Sequence, residues 1–261
     1  MADITIRGAG IFGLSIAWTC VRRGARVRVV DPHGAGAGAS GGLVGALAPH
    51  VPENWNAKKA FQLDSLLAAE RFWASVEEAG GVSSGYGRTG RLQPITDARA
   101  LDLAHARERA AKELWQDRAT WRVLPAGEAG PWCPPSPTGF VIHDTLTARL
   151  HPRRATEALV AALAVRGVEV ETGGEDRGQV LHATGAAGLI ELSQAMGKNV
   201  GGGVKGQAAL LRHDAGPGAP QLFAESIHII PHADGTTAIG STSERDYDSP
   251  TGTDAQLDDL I

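Results

Sequence analysis

The chain begins with a strand pattern, a glycine turn and an apolar helix pattern, and this order constrains the fold more than any other feature. The strand pattern of residues 4–7 is followed by Gly8, Gly10 and Gly13. In such a turn the first glycine permits a tight bend, the second lets phosphates approach the main chain, and the third lets helix and strand pack closely. The arrangement predicts a βαβ unit of the dinucleotide-binding type.

A carboxylate stands where such units hold a ribose. The next strand pattern, residues 27–30, ends on Asp31, roughly twenty residues beyond the glycines. The helix that begins after Gly10 presents free N–H groups and the positive end of its dipole to a phosphate. Nucleotide binding is therefore predicted, and the turn alone fits either a nicotinamide or a flavin dinucleotide.

Composition excludes several classes of protein. The chain of 261 residues is long enough for one large domain or two intermingled ones. A net charge of −4 and 5% aromatic residues give no indication of nucleic-acid binding, and no apolar run approaches the roughly 20 residues of a membrane span. Cys20 and Cys133 form neither a disulfide framework nor a metal-ligand spacing. We expect a soluble, cytoplasmic protein without a bound metal.

A second glycine-rich stretch covers residues 34–50 and becomes apolar in its second half. A solvated linker would stay polar, and long irregular connections inside compact domains are usually functional or disordered. The stretch therefore predicts a loop whose main chain comes close to a cofactor.

Further periodic patterns divide the rest of the chain. Strand patterns occur at residues 91–95, 121–124, 140–142, 168–171, 180–183, 204–211, 227–230 and 237–239. Helix patterns occur at residues 57–78, 98–116, 155–166 and 189–196. A short apolar run at residues 255–261 has no C-terminal cap and is shorter than a self-supporting helix, which favours a truncated chain.

These motifs, taken in order, resemble the FAD-dependent oxidoreductases of the D-amino-acid oxidase, glycine oxidase and sarcosine oxidase family. The resemblance covers most of the chain and rests on stretches at residues 8–13, 38–49, 90–92, 151–152, 183–185, 204–207 and 228–243. It implies an α/β fold with a Rossmann-like FAD-binding domain, built on a parallel sheet, and a second, mostly antiparallel sheet-based substrate domain. The implied FAD-binding domain is discontinuous, at residues 1–84 and 145–200, and the substrate domain takes residues 85–144 and 201–261.

The resemblance also implies where FAD lies. Pyrophosphate contacts are expected at Gly8, Gly10, Ile11, Phe12 and Gly13, and ribose contacts at Asp31 and Pro32. Contacts to the phosphate–ribityl region are expected at Ala39 and Ser40, to the flavin at Val44, Gly45 and Ala46, and to the adenine at Asp176. Thr184 and Gly185 are further expected cofactor contacts. The segment around Asp176 is shorter than the usual hairpin of the family.

Three residues are candidates for the substrate side. His228 stands where the family often has an aromatic residue facing the substrate. His50 follows the loop that carries the expected flavin contacts Val44, Gly45 and Ala46. Arg91 could bind a substrate carboxylate through its paired N–H groups. Most arginines are exposed, so surface solvation is the simpler expectation for Arg91. Trp73 and Trp115 lie in helical patterns and are expected to pack in the core.

The leading hypothesis is an FAD-dependent oxidoreductase that oxidises the C–N bond of an amino acid or secondary amine by hydride transfer, followed by hydrolysis of the imine. Oxygen or another acceptor would reoxidise the flavin, and a homo-oligomer is left open. The C-terminal part of the family, with its arginine for the substrate carboxylate, has no counterpart in this sequence. Two alternatives remain: an NAD(P)-dependent dehydrogenase, and a non-catalytic nucleotide-binding fragment completed by a partner.

Overall fold

The computed structural model describes residues 2–261 and contains two main sheets with helices. Its helices are α1 (Ile11–Arg22), α2 (Ala57–Gly80), α3 (Ala98–Leu114), α4 (Pro152–Val165), α5 (Gly185–Met196) and α6 (Ala255–Leu260). Its strands are β1 (Ile4–Arg7), β2 (Val27–Val30), β3 (Ala46–Leu47), β4 (Arg91–Pro94), β5 (Trp121–Pro125), β6 (Phe140–Asp144), β7 (Ala148–Arg149), β8 (Val170–Glu171), β9 (Gln179–His182), β10 (Ala208–Leu211), β11 (Gln221–Ala224), β12 (Ile227–Pro231) and β13 (Thr237–Gly240).

The first sheet is parallel and has the order β8-β2-β1-β9. Helices α1, α2 and α4 cover one face, where Ile6, Leu14, Trp18 and Leu159 form a buried cluster. Alternate residues of a strand point to opposite faces, so Ile6 enters this core while its neighbours Thr5 and Arg7 point away. The apolar pattern of the first βαβ unit therefore becomes the core of this half of the molecule.

A short segment, residues 173–178, crosses the other face of the parallel sheet. Arg7 Nε donates to Asp176 Oδ1 at 2.8 Å, and Thr5 Oγ1 donates to the Arg177 carbonyl at 2.8 Å. Arg28, on β2, donates to the Gly173 carbonyl at 3.2 Å. Polar side chains of the strands thus hold the segment in place of an apolar helix layer.

The second sheet has the order β10-β13-β12-β11-β4-β6-β5, and every pairing except β11 with β4 is antiparallel. Helix α3 packs on it through a second cluster that includes Trp115, Trp121 and Ile95. The rings of Trp115 and Trp121 meet edge to face, with centroids 6.1 Å apart. The predicted combination of a parallel and a mostly antiparallel sheet is confirmed. The exact domain boundaries stay a prediction.

A two-stranded ribbon of β3 and β7 connects the two halves. Arg149, on β7, is buried and donates to the carbonyls of Pro231 at 2.8 Å and Pro217 at 2.7 Å. Gln221, on β11, donates to the Ala148 carbonyl at 2.5 Å. The ribbon that continues the glycine-rich loop is therefore fastened directly to the second sheet.

Most predicted elements occur near their expected positions, with differences at their ends. The strand predicted from residue 204 begins at Ala208, because Lys205 and Gln207 instead join a buried polar network with Glu244. The helix predicted from residue 189 begins at Gly185, and the one predicted from residue 155 begins at Pro152. Trp73 and Trp115 are buried, as their helical positions predicted.

Helix α5 has no buried residue and carries exposed apolar side chains at Leu189, Ile190, Leu192 and Met196. Strand β9 beside it pairs with β1 and, within residues 2–261, with no other strand. Among residues 2–261, this edge of the parallel sheet is therefore uncovered. Among the described residues, no helix combines the length and apolar character that crossing a membrane requires.

We expect Gly13→Ala to destabilise the fold. A Cβ at Gly13 would lie 1.9 Å from the Gly8 carbonyl oxygen, so α1 would have to move away from β1. Such overpacking costs roughly 1–3 kcal/mol, measurable by urea unfolding. Gly38→Ala is the control, since its Cβ would meet open space, and its effect should stay within about 0.5 kcal/mol. Equal stability of the two variants would contradict this packing argument.

Candidate cofactor site

The glycine turn lies at the carboxyl end of β1, above the parallel sheet. Gly8 N–H donates to the Val30 carbonyl and Ala9 N–H to Asp31 Oδ2, both at 2.8 Å. A Cβ at Gly8 would come within 2.2 Å of the Ala183 carbonyl oxygen, so the turn also abuts the main chain that leads to Thr184 and α5. Three strand ends of the parallel sheet therefore meet at this turn.

The second glycine-rich loop reaches the same place. Gly36 N–H donates to the Ala9 carbonyl at 2.9 Å, and Ile11 N–H donates to Ser40 Oγ at 2.9 Å. Ser40 lies in a one-turn 3-10 helix, Ala39–Gly41, that ends beside α1. The structure thus brings residues 8–13 and 39–41 onto one surface, where a single ligand can touch both.

The start of α1 retains donors for such a ligand. Among residues 2–261, no protein acceptor engages the N–H groups of Gly10 and Phe12. The ring of Phe12 is 77% exposed beside them. Free N–H groups at the positive end of a helix dipole bind phosphate oxygens well. This end of α1 therefore fits the diphosphate of a dinucleotide.

Asp31 also fits its predicted role at a ribose. Its Oδ2 accepts the Ala9 N–H, and its Oδ1 accepts the His33 N–H at 2.9 Å. Each carboxylate oxygen has further acceptor capacity, so a ribose hydroxyl can still donate to it. The neighbouring Pro32 is exposed, while Asp176 is 41% exposed and its carboxylate pairs with Arg7. The side chain of Asp176 is therefore already engaged, and its main chain is what remains for an adenine.

The flavin-side loop, residues 42–46, leads from this surface to the second sheet. Leu150 N–H donates to the Gly45 carbonyl at 2.9 Å, and a Cβ at Gly45 would lie 1.8 Å from the Leu150 carbonyl oxygen. Ala46 then pairs with Arg149 in the ribbon of β3 and β7. Only glycine permits this close approach of the two chains at residue 45.

One cross-strand row of the second sheet faces this loop. Ala208, Gly240, His228 and Phe223 are direct partners on four neighbouring strands, so their side chains share one face. A Cβ at Gly240 would lie 3.0 Å from Cγ2 of Val44. His228 is therefore on the sheet face that looks toward the flavin-side loop.

His228 is half-buried, and its ring contacts that of Phe223 with centroids 4.6 Å apart. Burial lowers the pKa of His228, and the nearby Arg91 cation lowers the pKa further. The imidazole is accordingly neutral near pH 7, and its Nδ1 has no protein partner among the described residues. A neutral imidazole keeps one nitrogen that can accept a hydrogen bond.

The expectation that Arg91 is solvated at the surface is wrong. Its side chain is 7% exposed, and Nε lies 3.1 Å from Oδ2 of the fully buried Asp144. Its guanidinium carbon also lies 5.5 Å from the ring centroid of Phe223. Buried charges require partners, and Asp144 is the neighbouring residue on β6 in the register. Arg91 is thus next to Phe223 and, through it, to His228.

His50 does not contact the cluster of His228, Phe223 and Arg91. Its main-chain N–H donates to Gln62 Oε1 at 2.6 Å, which fastens the end of the loop to α2. Among residues 2–261, no hydrogen bond or ring contact links the His50 imidazole to His228 or Arg91. Nor does that part of the chain contain a cluster of histidine, cysteine and carboxylate side chains able to hold a metal.

Sequence reasoning missed a histidine pair behind the loop. His151 and His232 are both buried, with ring centroids 4.5 Å apart. His232 Nε2 lies 3.1 Å from the Leu43 carbonyl, and His151 Nε2 lies 3.8 Å from Asp234 Oδ2. The two histidines are 81 residues apart, so no local motif could have revealed the pair.

The chain matches the sequence profile described as "FAD dependent oxidoreductase", DAO, over residues 3–261. The chain belongs to this family. FAD is the cofactor of the DAO family, so the prediction of the cofactor and of the enzyme class is confirmed.

Two curated relatives place the match within larger proteins. The bifunctional protein ThiO/ThiG of Trichormus variabilis is 25% identical over 287 residues, covering 99% of this chain and 42% of the relative. The tRNA 5-methylaminomethyl-2-thiouridine biosynthesis bifunctional protein MnmC of Ralstonia nicotianae is 35% identical over 138 residues, covering 49% of this chain and 20% of the relative. The DAO chain thus spans less than half of either relative.

Solved structures of the family share the fold. Glycine oxidase from Geobacillus kaustophilus superposes with a TM-score of 0.77 at 19% identity, covering 95% of this chain and 73% of the other. Iminodiacetate oxidase from Chelativorans sp. BNC1 gives a TM-score of 0.77 at 21% identity, covering 98% of this chain and 76% of the other. The two-sheet architecture is therefore that of the family.

We expect acid to destabilise this DAO chain over the interval that begins at about pH 6.5 and extends below it. Burial lowers the pKa of His143, His151, His228 and His232 below the value of about 6.5 in an unfolded chain. In this interval the unfolded chain binds more protons than the folded chain, so stability falls as the pH falls from about 6.5 toward the lower pKa values of the folded histidines. Thermal unfolding across the interval measures the loss.

The His232→Gln variant has no side chain that can be protonated at this position. It should therefore lose less stability than the wild type over the same pH interval. His33→Gln, at an exposed turn, is the control and should follow the wild type. A melting temperature that is constant from about pH 7 to about pH 5 would contradict the depressed histidine pKa values.

Proposed function

We propose that this chain binds FAD across its two glycine-rich loops and oxidises the C–N bond of an amino acid or secondary amine. The observation that carries the proposal is the hydrogen bond from Ile11 N–H to Ser40 Oγ, which joins both loops at the start of α1. The names of the relatives support the substrate class, since glycine and iminodiacetate are both amino compounds.

In this proposal, the cofactor contacts follow the order of the segments along the chain. The diphosphate lies at the turn and at Ser40, the adenosine ribose at Asp31 and the flavin ring at the loop of residues 42–46. The assigned residues are Gly8, Gly10, Ile11, Phe12, Gly13, Asp31, Pro32, Ala39, Ser40, Val44, Gly45, Ala46, Asp176, Thr184 and Gly185.

FAD held by the glycine turn and by the loop of residues 42–46 would supply the two-electron chemistry: oxidation of the C–N bond by hydride transfer, hydrolysis of the imine by water, and reoxidation by oxygen or another acceptor. A protonated amine has no lone pair to support loss of a hydride. His228, neutral near pH 7 because burial lowers its pKa, would accept a hydrogen bond from the amine and favour its neutral form.

Arg91 would act beside His228 on the same face of the sheet. Its Nε forms an ion pair with Asp144 Oδ2 at 3.1 Å, while its two terminal nitrogens donate no hydrogen bond to protein among the described residues. A guanidinium with both terminal groups free can bind a carboxylate through paired hydrogen bonds. We assign Arg91 to the substrate carboxylate on this basis. His50 is assigned to the end of the flavin-side loop.

We expect the purified chain to quench the fluorescence of added FAD and to leave NAD unbound in a parallel titration. Ser40→Val removes the acceptor of the Ile11 N–H and should weaken FAD binding by about tenfold, the equivalent of one hydrogen bond. Ser65→Ala, on α2, is the matched control and should not change the affinity. A chain that prefers NAD would support the dehydrogenase alternative instead.

We expect His228→Leu to retain FAD and to lose amine oxidation by roughly a hundredfold in kcat/KM, because the amine loses its proton acceptor. His105→Leu, on α3 with a side chain that is 44% exposed, should leave the reaction unchanged. Anaerobic bleaching of the flavin by glycine and by secondary amines measures the effect. Bleaching at the wild-type rate in the His228 variant would exclude the assigned role.

A second candidate function is a nucleotide-binding chain that is active only when a partner covers it. The exposed apolar face of α5 and the open edge of β9 favour this candidate. Substrate-dependent bleaching by the isolated chain would exclude it. A cytoplasmic location and a homo-oligomer stay predictions from the sequence.

A further inference from the structure

Three main-chain carbonyls in and just before the flavin-side loop, those of Gly41, Leu43 and Gly45, have polar protein contacts. Arg153 Nε donates to the Gly41 carbonyl at 2.8 Å, and Leu150 N–H donates to the Gly45 carbonyl at 2.9 Å. Between them, Nε2 of His232 lies 3.1 Å from the Leu43 carbonyl. The contacts therefore fall on alternate residues and come from α4, from the chain before it and from the end of β12.

Val44 lies between the contacts at Leu43 and Gly45, and its main-chain N–H and carbonyl have no protein partner among residues 2–261. The neighbouring carbonyls of Leu43 and Gly45 are turned toward the protein, so the free groups of Val44 remain for a ligand. A half-buried peptide group without a partner is costly unless something binds it.

His232 itself is held in one orientation. His232 is 2% exposed, and its ring packs against the ring of His151. Its main-chain N–H donates to the Thr236 carbonyl at 2.7 Å. Since a carbonyl only accepts, the proton of His232 must be on Nε2. His151 in turn caps α4 and lies near Asp234. The donor to Leu43 is therefore fixed by packing on both sides.

We propose that His232 is a positioning residue for the cofactor: by holding the Leu43 carbonyl, it directs the free main chain of Val44 toward the flavin. This rests on the proposed binding of FAD. Arg153 provides a second, exposed contact to the same loop, at Gly41. His232 acts through the loop and does not touch the substrate.

Hydrogen–deuterium exchange of the ligand-free chain tests the first half of the proposal. His232→Leu removes the donor and should raise exchange in residues 41–47 by about tenfold, the equivalent of one hydrogen bond. His232→Gln keeps an N–H donor and should restore most of the protection. His143→Leu, on the opposite face of the second sheet, is the control and should leave this segment unchanged. Unchanged exchange in His232→Leu would overturn the proposal.

FAD titration of the same variants tests the second half. His232→Leu should weaken FAD binding by about tenfold and shift the flavin absorption maximum, and His232→Gln should restore both. Faster exchange with unaltered FAD affinity and spectrum would overturn the role toward the cofactor. A wild-type chain that binds no FAD would overturn the proposed function, while the exchange result would still show whether His232 holds the loop.

Discussion

The peptide N–H groups at the start of α1 are the constraint on which the site depends. A helix cannot satisfy its first donors internally, and this chain supplies protein acceptors for only some of them. Asp31 accepts the N–H of Ala9, and Ser40 accepts that of Ile11. The acceptors come from two different segments, so the same few donors bring the end of β2 and the second glycine-rich loop together. The remaining donors are free to bind an anion, as helix N-termini commonly do.

The ribbon of β3 and β7 connects the loop at the start of α1 to the second sheet. It continues the loop that starts at Ser40, and Arg149 fastens it to the carbonyls of Pro217 and Pro231. The face that carries His228 and Gly240 is thereby set against Val44. The two halves of this DAO chain are therefore joined beside the surface where the proposed cofactor would lie.

The sequence was sufficient for features that depend on neighbours along the chain. The glycine turn and the strand ending on Asp31 were both predicted correctly, because their causes lie within a few residues. The burial of Arg91 was not, since it depends on the register that places Asp144 beside it. The pair of His151 and His232 likewise exists only after two distant segments pack together. Ends of strands such as β10 were displaced by side-chain networks that no periodicity reveals.

Local stability differs between the parts of this molecule, and it is low at helix α5. It has 12 residues and contributes none of them to a buried cluster, so tertiary packing adds little to its intrinsic helicity, which is marginal at such a length. Local unfolding of residues 185–196 should then require far less free energy than unfolding of the sheet beneath. A protease would cut the chain here first, immediately after the Thr184 turn that borders the cofactor surface.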